Sequence, residues 1–205
     1  MEIGTQRRLT TIVAADIAGF SRLVGFDEEG TLAAQRSYRT DIIEPLLAQH
    51  NGRIANTAGD SFLFEFPSAV EAVRCVMAVQ TGIAERNSNI PSDRRIEYRV
   101  GINVGDVVAE GNDLLGDGVN IAARLENICE PGGIILSDDA YRQVRDRLDV
   151  SWEDGGEHEV KNIARPIQVW HWATDRFTQS VKAKPDTNAL LPLPDKPSIA
   201  VLAFD

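Results

Sequence analysis

Residues 53–66 read Arg53-Ile-Ala-Asn-Thr-Ala-Gly-Asp-Ser-Phe-Leu-Phe-Glu-Phe66. Two short β-type runs flank Gly59-Asp60, which is a hairpin signal because glycine reaches turn conformations closed to other residues. Upstream, apolar residues recur at helical spacing from Asp27 to about His50, with acidic residues in the first turn. Before that helix, residues 9–15 form a short apolar β-type run ending at Asp16. Downstream, Ser68-Ala-Val-Glu71 is a capping box that opens a helix to about Asn87. Residues 95–104 alternate as a half-buried strand does. Residues 118–128 read as helix and 133–136 as strand, and Ser137 caps another short helix. Residues 157–160 and 167–172 form a late hairpin around Lys161 and Pro166. The order β-α-β-β-α-β predicts an α+β fold. Its ferredoxin-like core, extended by C-terminal strands and a helix, packs helices on a mainly antiparallel sheet.

Composition bounds what such a fold can do. The chain has 205 residues, 43% of them hydrophobic, and a formal net charge of −10. One principal domain is the default at this length. The acidity argues against non-specific nucleic-acid or anionic-membrane binding, which needs positive potential. A phosphate-bearing ligand stays possible where metal ions bring the missing positive charge. No apolar run approaches the roughly 20 residues of a membrane helix, and the N-terminus lacks the apolar stretch of a signal peptide. Cys75 and Cys129 form no CxxC or zinc-type spacing. His50, His158 and His171 are isolated and read as surface or packing residues. A reduced, cytoplasmic setting is expected.

The tail differs. Four of the nine prolines, Pro185, Pro192, Pro194 and Pro197, fall beyond Arg176. Its charged residues nearly balance, so the acidity sits in the first 175 residues. The expected organisation is a domain over residues 1–175, a Pro-rich linker over 176–197, and over 198–205 the strand-like start of a further C-terminal module, possible seat of regulation.

Several polar positions carry chemistry. Asp16 ends an apolar strand and Asp60 sits at the hairpin tip, and a β-α-β-β sheet makes their strands neighbours. Paired carboxylates suit Mg²⁺ or Mn²⁺, while Gly19 and Gly59 let backbone N–H groups approach phosphate. Taken singly, Asp60 also reads as a turn former and Asp16 as a helix-entry residue. Asn120 and Arg124 are four residues apart and share a helix face. An Arg beside an amide suits charge developing on a transferring phosphoryl group, although the pair also fits an ordinary amphipathic helix. Lys161 taken alone reads as a solvated surface lysine. Residues 111–118 superficially suggest a P-loop, but Asp117-Gly118 stands where Lys-Ser/Thr is required.

Five segments in order resemble the class III nucleotidyl cyclase catalytic domain, bacterial adenylate cyclase type, from about Leu9 to Trp172. They are Asp16-Ile-Ala-Gly-Phe-Ser21, Gly59-Asp-Ser-Phe62, Arg99-Val-Gly-Ile-Asn-Val-Gly105, Gly116-Asp-Gly-Val-Asn-Ile-Ala-Ala-Arg-Leu-Glu126 and Val160-Lys-Asn-Ile163. The resemblance implies that Asp16, Asp60 and the Ile17 carbonyl hold two Mg²⁺ or Mn²⁺ ions per site. It implies that Ala18, Gly19, Phe20 and Ser21 wrap the β- and γ-phosphates of ATP and that Lys161 holds the terminal phosphates. Asp113 then meets the adenine amino group, Asn120 orients the ribose and Arg124 stabilises the transition state. In the family such sites form between two protomers, which implies a homodimer with two equivalent sites. The product would be 3′,5′-cyclic AMP.

One position departs from the pattern. The family usually has a lysine four residues before the second metal aspartate, where this chain has Asn56. An amide can still donate to adenine N1 but is shorter and uncharged, which bears on affinity and base selectivity. A catalytically weak nucleotide-binding regulatory domain and a guanylate cyclase are the alternatives.

Overall fold

The computed structural model describes residues 6–159 and 165–173. The chain runs β1 (Gln6–Ile17), α1 (Phe20–Phe26), α2 (Glu28–Tyr38), α3 (Glu44–Gln49), β2 (Arg53–Ala58), β3 (Ser61–Phe66) and α4 (Ala69–Arg86). It continues with β4 (Tyr98–Glu110), β5 (Asp113–Leu115), α5 (Asp117–Ile128), β6 (Ile134–Ser137), α6 (Asp138–Val144), β7 (Trp152–His158) and β8 (Ile167–Trp172). The strands form one sheet in the order β2-β3-β1-β4-β6-β8-β7, with β5 paired to β4. Only β4 and β6 run parallel among the described pairs. The predicted α+β class and ferredoxin-like core are observed.

β1 sits between β3 and β4, and both its faces are covered. Val13, Ala15 and Ile17 point into the core with Val73 and Val76 of α4, whereas Ile12 and Ala14 meet Ala122 of α5. This double burial explains the continuous apolar stretch Ile12-Val-Ala-Ala15 within residues 9–15. It also corrects the reading of β4 as half-buried: residues 100–103 are buried on both faces, with Val100 and Ile102 turned towards α4. Gly101 faces α5, where an added Cβ would come within 2.2 Å of the Ala122 carbonyl and 2.3 Å of the Glu126 amide. Glycine here is what lets a helix lie at backbone contact on the strand.

Three further readings are refined. The single helix expected from Asp27 to His50 is α2 and α3 joined by a π-helical turn at Arg39–Ile43. Pro45 supplies the reason, since it lacks an N–H and its ring crowds the carbonyl four residues back. Asp27 does cap α2, accepting from the Gly30 amide at 2.9 Å. At Ser68 half of the capping box forms: Ser68 Oγ accepts from the Glu71 amide at 3.4 Å. The Glu71 carboxylate turns instead to His50 Nδ1 at 2.6 Å and Arg74 Nη1 at 2.9 Å. His50, read as a surface or packing residue, is a hydrogen-bond partner of Glu71. Cys75 and Cys129 are free and buried, and burial pushes both thiols up to about 12. No helix among the described residues is long and apolar enough to cross a membrane. The linker and C-terminal segment expected at 176–205 lie outside the described residues, as does Lys161.

Candidate active site

Register on the sheet brings the two aspartates together. Asp16 follows the even-numbered face of β1, the face that carries α5, and pairs with Arg99 across β4. Asp60 stands at the β2–β3 tip after Gly59, whose φ of 63° is the left-handed turn a side chain resists. Gln35 Nε2 pins that turn by donating to the Gly59 carbonyl at 3.1 Å. Ser61 Oγ donates to Asp16 Oδ1 at 2.9 Å, and Arg99 Nη2 donates to Asp16 Oδ2 at 2.7 Å. Burial, reinforced by the Asp16 carboxyl beside it, pushes the Asp60 carboxyl up to about 6.

Two residues join this end of the site without having stood out in sequence. Arg99 opens the 99–105 motif and Glu126 closes the 116–126 motif, each an ordinary charged residue by local pattern. The same Arg99 nitrogen that bonds Asp16 is 3.2 Å from Glu126 Oε1. Glu126 lies on the buried stripe of α5 with Gly118, Ala122 and Leu125, and burial pushes its carboxyl up to about 7. The signal that was available is positional. An acid at helical spacing with three buried small or apolar residues must face the core and find a partner there.

At the other end, Asn56 and Asp113 meet. Asn56 Nδ2 donates to Asp113 Oδ2 at 3.0 Å, and the Leu114 amide donates to Asp113 Oδ1 at 2.8 Å. Arg53 Nη1 holds the adjoining turn by donating to the Asn112 carbonyl at 2.8 Å. β5 was not anticipated, because three residues are too few for a pattern. It is this short strand that delivers Asp113 to β2.

α5 is seated by close approach and one buried amide. Gly118 packs where an added Cβ would lie 3.0 Å from the Asp106 carbonyl. Asn103 Nδ2 donates to the Gly118 carbonyl at 3.0 Å, and Ser137 Oγ donates to Asn103 Oδ1 at 2.7 Å. Asn120 and Arg124 project from the exposed side. Arg124 precedes Glu126 by two positions, so their side chains leave the helix about 200° apart. With Glu126 turned to Arg99, Arg124 leaves α5 on the roughly opposite, exposed side. The 18–21 segment is partly helical: Ala18 N donates to the Glu97 carbonyl at 2.8 Å, Gly19 takes a φ of 67°, and Phe20 and Ser21 open α1.

Residues 5–174 match the family model described as adenylate and guanylate cyclase catalytic domain. The chain belongs to that family. A Rhizobium meliloti (strain 1021) protein whose name proposes it as an adenylate cyclase is 45% identical over 98% of this chain. The chain spans about a third of that relative's length, 34%. Among solved structures, an adenylate/guanylate cyclase/hydrolase from Silicibacter pomeroyi superposes with a TM-score of 0.80 at 45% identity. It covers 84% of this chain and all of its own. The adenylyl cyclase CyaB from P. aeruginosa gives 0.73 at 25% identity over 85% of this chain and 98% of its own. The guanylyl cyclase Cya2 gives 0.72, also at 25%, over 83% and 94%. Equal likeness to an adenylyl and a guanylyl cyclase leaves the base preference of this cyclase domain to its own residues.

The cyclase domain's charge cluster fits a divalent cation. Asp16, Asp60 and Glu126 share one guanidinium, that of Arg99, so positive charge is in deficit among buried or half-buried carboxylates. Among the described residues, no three His, Cys, Asp or Glu side chains are placed to hold one metal ion together. Two carboxylates thus make a partial shell, of the kind that water and substrate phosphate complete around Mg²⁺.

Proposed function

We propose that this cyclase domain converts ATP to 3′,5′-cyclic AMP and pyrophosphate. The observation that supports the reading is the placement of two polar groups on the sheet, one suited to a cation and one to a base. Asp16 and Asp60 lie at one end, and the Asn56–Asp113 pair lies at the other.

Asp16, Asp60 and the Ile17 carbonyl would hold Mg²⁺ or Mn²⁺, two ions per site, supplying Lewis-acid chemistry at the ribose 3′-hydroxyl and the α-phosphate. Asp113 accepts from the adenine amino group; a carboxylate oxygen has lone pairs beyond the one taken by Asn56. The same oxygens would repel the guanine carbonyl, which favours ATP. Asn56, bonded to Asp113, donates to the ring nitrogen. Asn120 orients the ribose, and residues 18–21 and Lys161 take the terminal phosphates. The ribose oxygen bonds to the α-phosphorus as the bond to pyrophosphate breaks, and the hydroxyl proton passes to water. Arg124 stabilises the charge gathering on the α-phosphoryl group, a contribution of about 2.7–4 kcal/mol for such donors.

The site works as a homodimer in this reading. Support comes from the helix geometry: Arg124 leaves α5 on the exposed side, roughly opposite Glu126, so the Arg124 that serves Asp16 and Asp60 belongs to a second copy. Incubation with ATP or GTP and Mn²⁺, scored for cyclic nucleotide against Asp60→Ala as blank, tests the proposal. Cyclic AMP above blank and in excess of cyclic GTP is the expected result. Nucleotide-dependent thermal stabilisation with no cyclic product would favour the regulatory module that Asn56 suggests, and predominant cyclic GTP the guanylate reading.

A further inference from the structure

The Arg99 guanidinium stands between two carboxylates and satisfies only one of them. Its Nη2 donates to Asp16 Oδ2 at 2.7 Å. The same nitrogen is 3.2 Å from Glu126 Oε1, outside hydrogen-bond geometry. Arg99 Nε is buried without a partner, and so is Glu126 Oε1. The Glu126 side chain is only 10% exposed. A carboxylate oxygen and a guanidinium N–H of two neighbouring side chains are thus both buried with unmet bonding capacity, which is costly unless a second arrangement uses it. Turned towards Glu126, Arg99 can form a two-pronged carboxylate pair and withdraw its charge from Asp16.

We propose that Glu126 is a positioning residue that draws the Arg99 guanidinium off Asp16 and so opens that carboxylate to a divalent cation. The inference rests on the reading of Asp16 as a cation ligand. Arg99 and a cation compete for Asp16 Oδ2, since two positive charges a few ångströms apart in a half-buried site repel strongly. Glu126 sets the outcome by giving Arg99 somewhere to go without stranding its charge. With glutamine at this position the guanidinium has one carboxylate left and stays on it.

Mn²⁺ alone, followed through the free-ion EPR signal, reads this out without turnover. Wild type, E126Q, R99Q and the double variant R99Q/E126Q are titrated, with thermal unfolding recorded for each. E126Q is expected to weaken Mn²⁺ binding by about 3- to 10-fold, and in the R99Q background the same change should cost less than about 2-fold. Equal losses in both backgrounds would mean that Glu126 acts only as a nearby negative charge, and no loss would mean that it does not act at all; either result overturns the proposal. Should R99Q not fold, R99M serves: it too removes the guanidinium, so E126Q should lose its effect there, and an undiminished effect overturns the proposal. Failure of the metal reading itself looks different, with wild type and Asp16→Asn binding Mn²⁺ equally.

Discussion

Asn56 Nδ2 and Asp113 Oδ2, 57 residues apart in the chain, are joined by a hydrogen bond of 3.0 Å. The two residues assigned to the base therefore present one joint surface, whose donor is neutral. A charged donor forms the stronger bond, about 1.5–3 against 0.5–1.5 kcal/mol. Asn56→Lys is expected to raise the ATP-to-GTP ratio of kcat/KM by about 5- to 10-fold. Asp113→Ala should lower it. Initial rates with both nucleotides decide, and an unchanged ratio in both variants would remove this pair from base recognition.

The Arg124 side chain is exposed, and no hydrogen bond or ion pair joins it to another described residue. Arg124→Ala should leave the melting temperature nearly unchanged while kcat falls about 10²- to 10³-fold. Mixing it with Asp60→Ala tests the two-chain site. One of the two sites in a mixed dimer would be intact, so random exchange should restore about a quarter of wild-type activity. No recovery after demonstrated exchange would place the whole site within a single chain.

The raised carboxyls make stability depend on pH. Asp60 is lifted to about 6 and Glu126 to about 7, burial being the first cause of each. The folded protein therefore holds these protons more tightly than the unfolded chain. Their stabilising effect is present below the ordinary carboxylate range and is lost as pH rises through about 6 to 7. Thermal scans of metal-free protein should show a lower melting temperature at about pH 8 than at about pH 5 from this cluster. Mn²⁺ should raise it more at the higher pH, and Asp60→Asn should flatten the profile.

Gly101→Ala should be among the most damaging small substitutions. Its Cβ would lie 2.2 Å from the Ala122 carbonyl and 2.3 Å from the Glu126 amide. Both are backbone atoms of α5, so the helix has to lift. A cost of about 3 kcal/mol or more is expected, read by urea unfolding. The lift should also loosen Glu126 from Arg99 and so weaken Mn²⁺ binding.

Local pattern was legible because it depends on neighbours in the chain. The 53–66 hairpin, the Ser68 and Ser137 caps and the helical face shared by Asn120 and Arg124 all follow from spacing of two to four residues. Position on the predicted strands likewise marked Asp16 and Asp60 as candidates, and the family resemblance added Asp113. What escaped depends on packing. Arg99 and Glu126 are an ordinary cation and acid until α5 is laid on β4, and β5 is a strand only because β4 runs on to meet it.

The sequence by itself thus determined the fold class and the family, and it named most of the polar positions proposed for the chemistry. Periodicity, turn residues and caps are short-range properties, and the motifs keep their order along the chain. Only the tertiary structure decided which of those positions face one another. It joined Asn56 to Asp113, set Asp16 between Ser61 and Arg99, and left Arg124 on the exposed side of α5. The reason is physical: strand register and helix rotation are set by burying both faces of β1 and β4 together, and that long-range condition has no local signature.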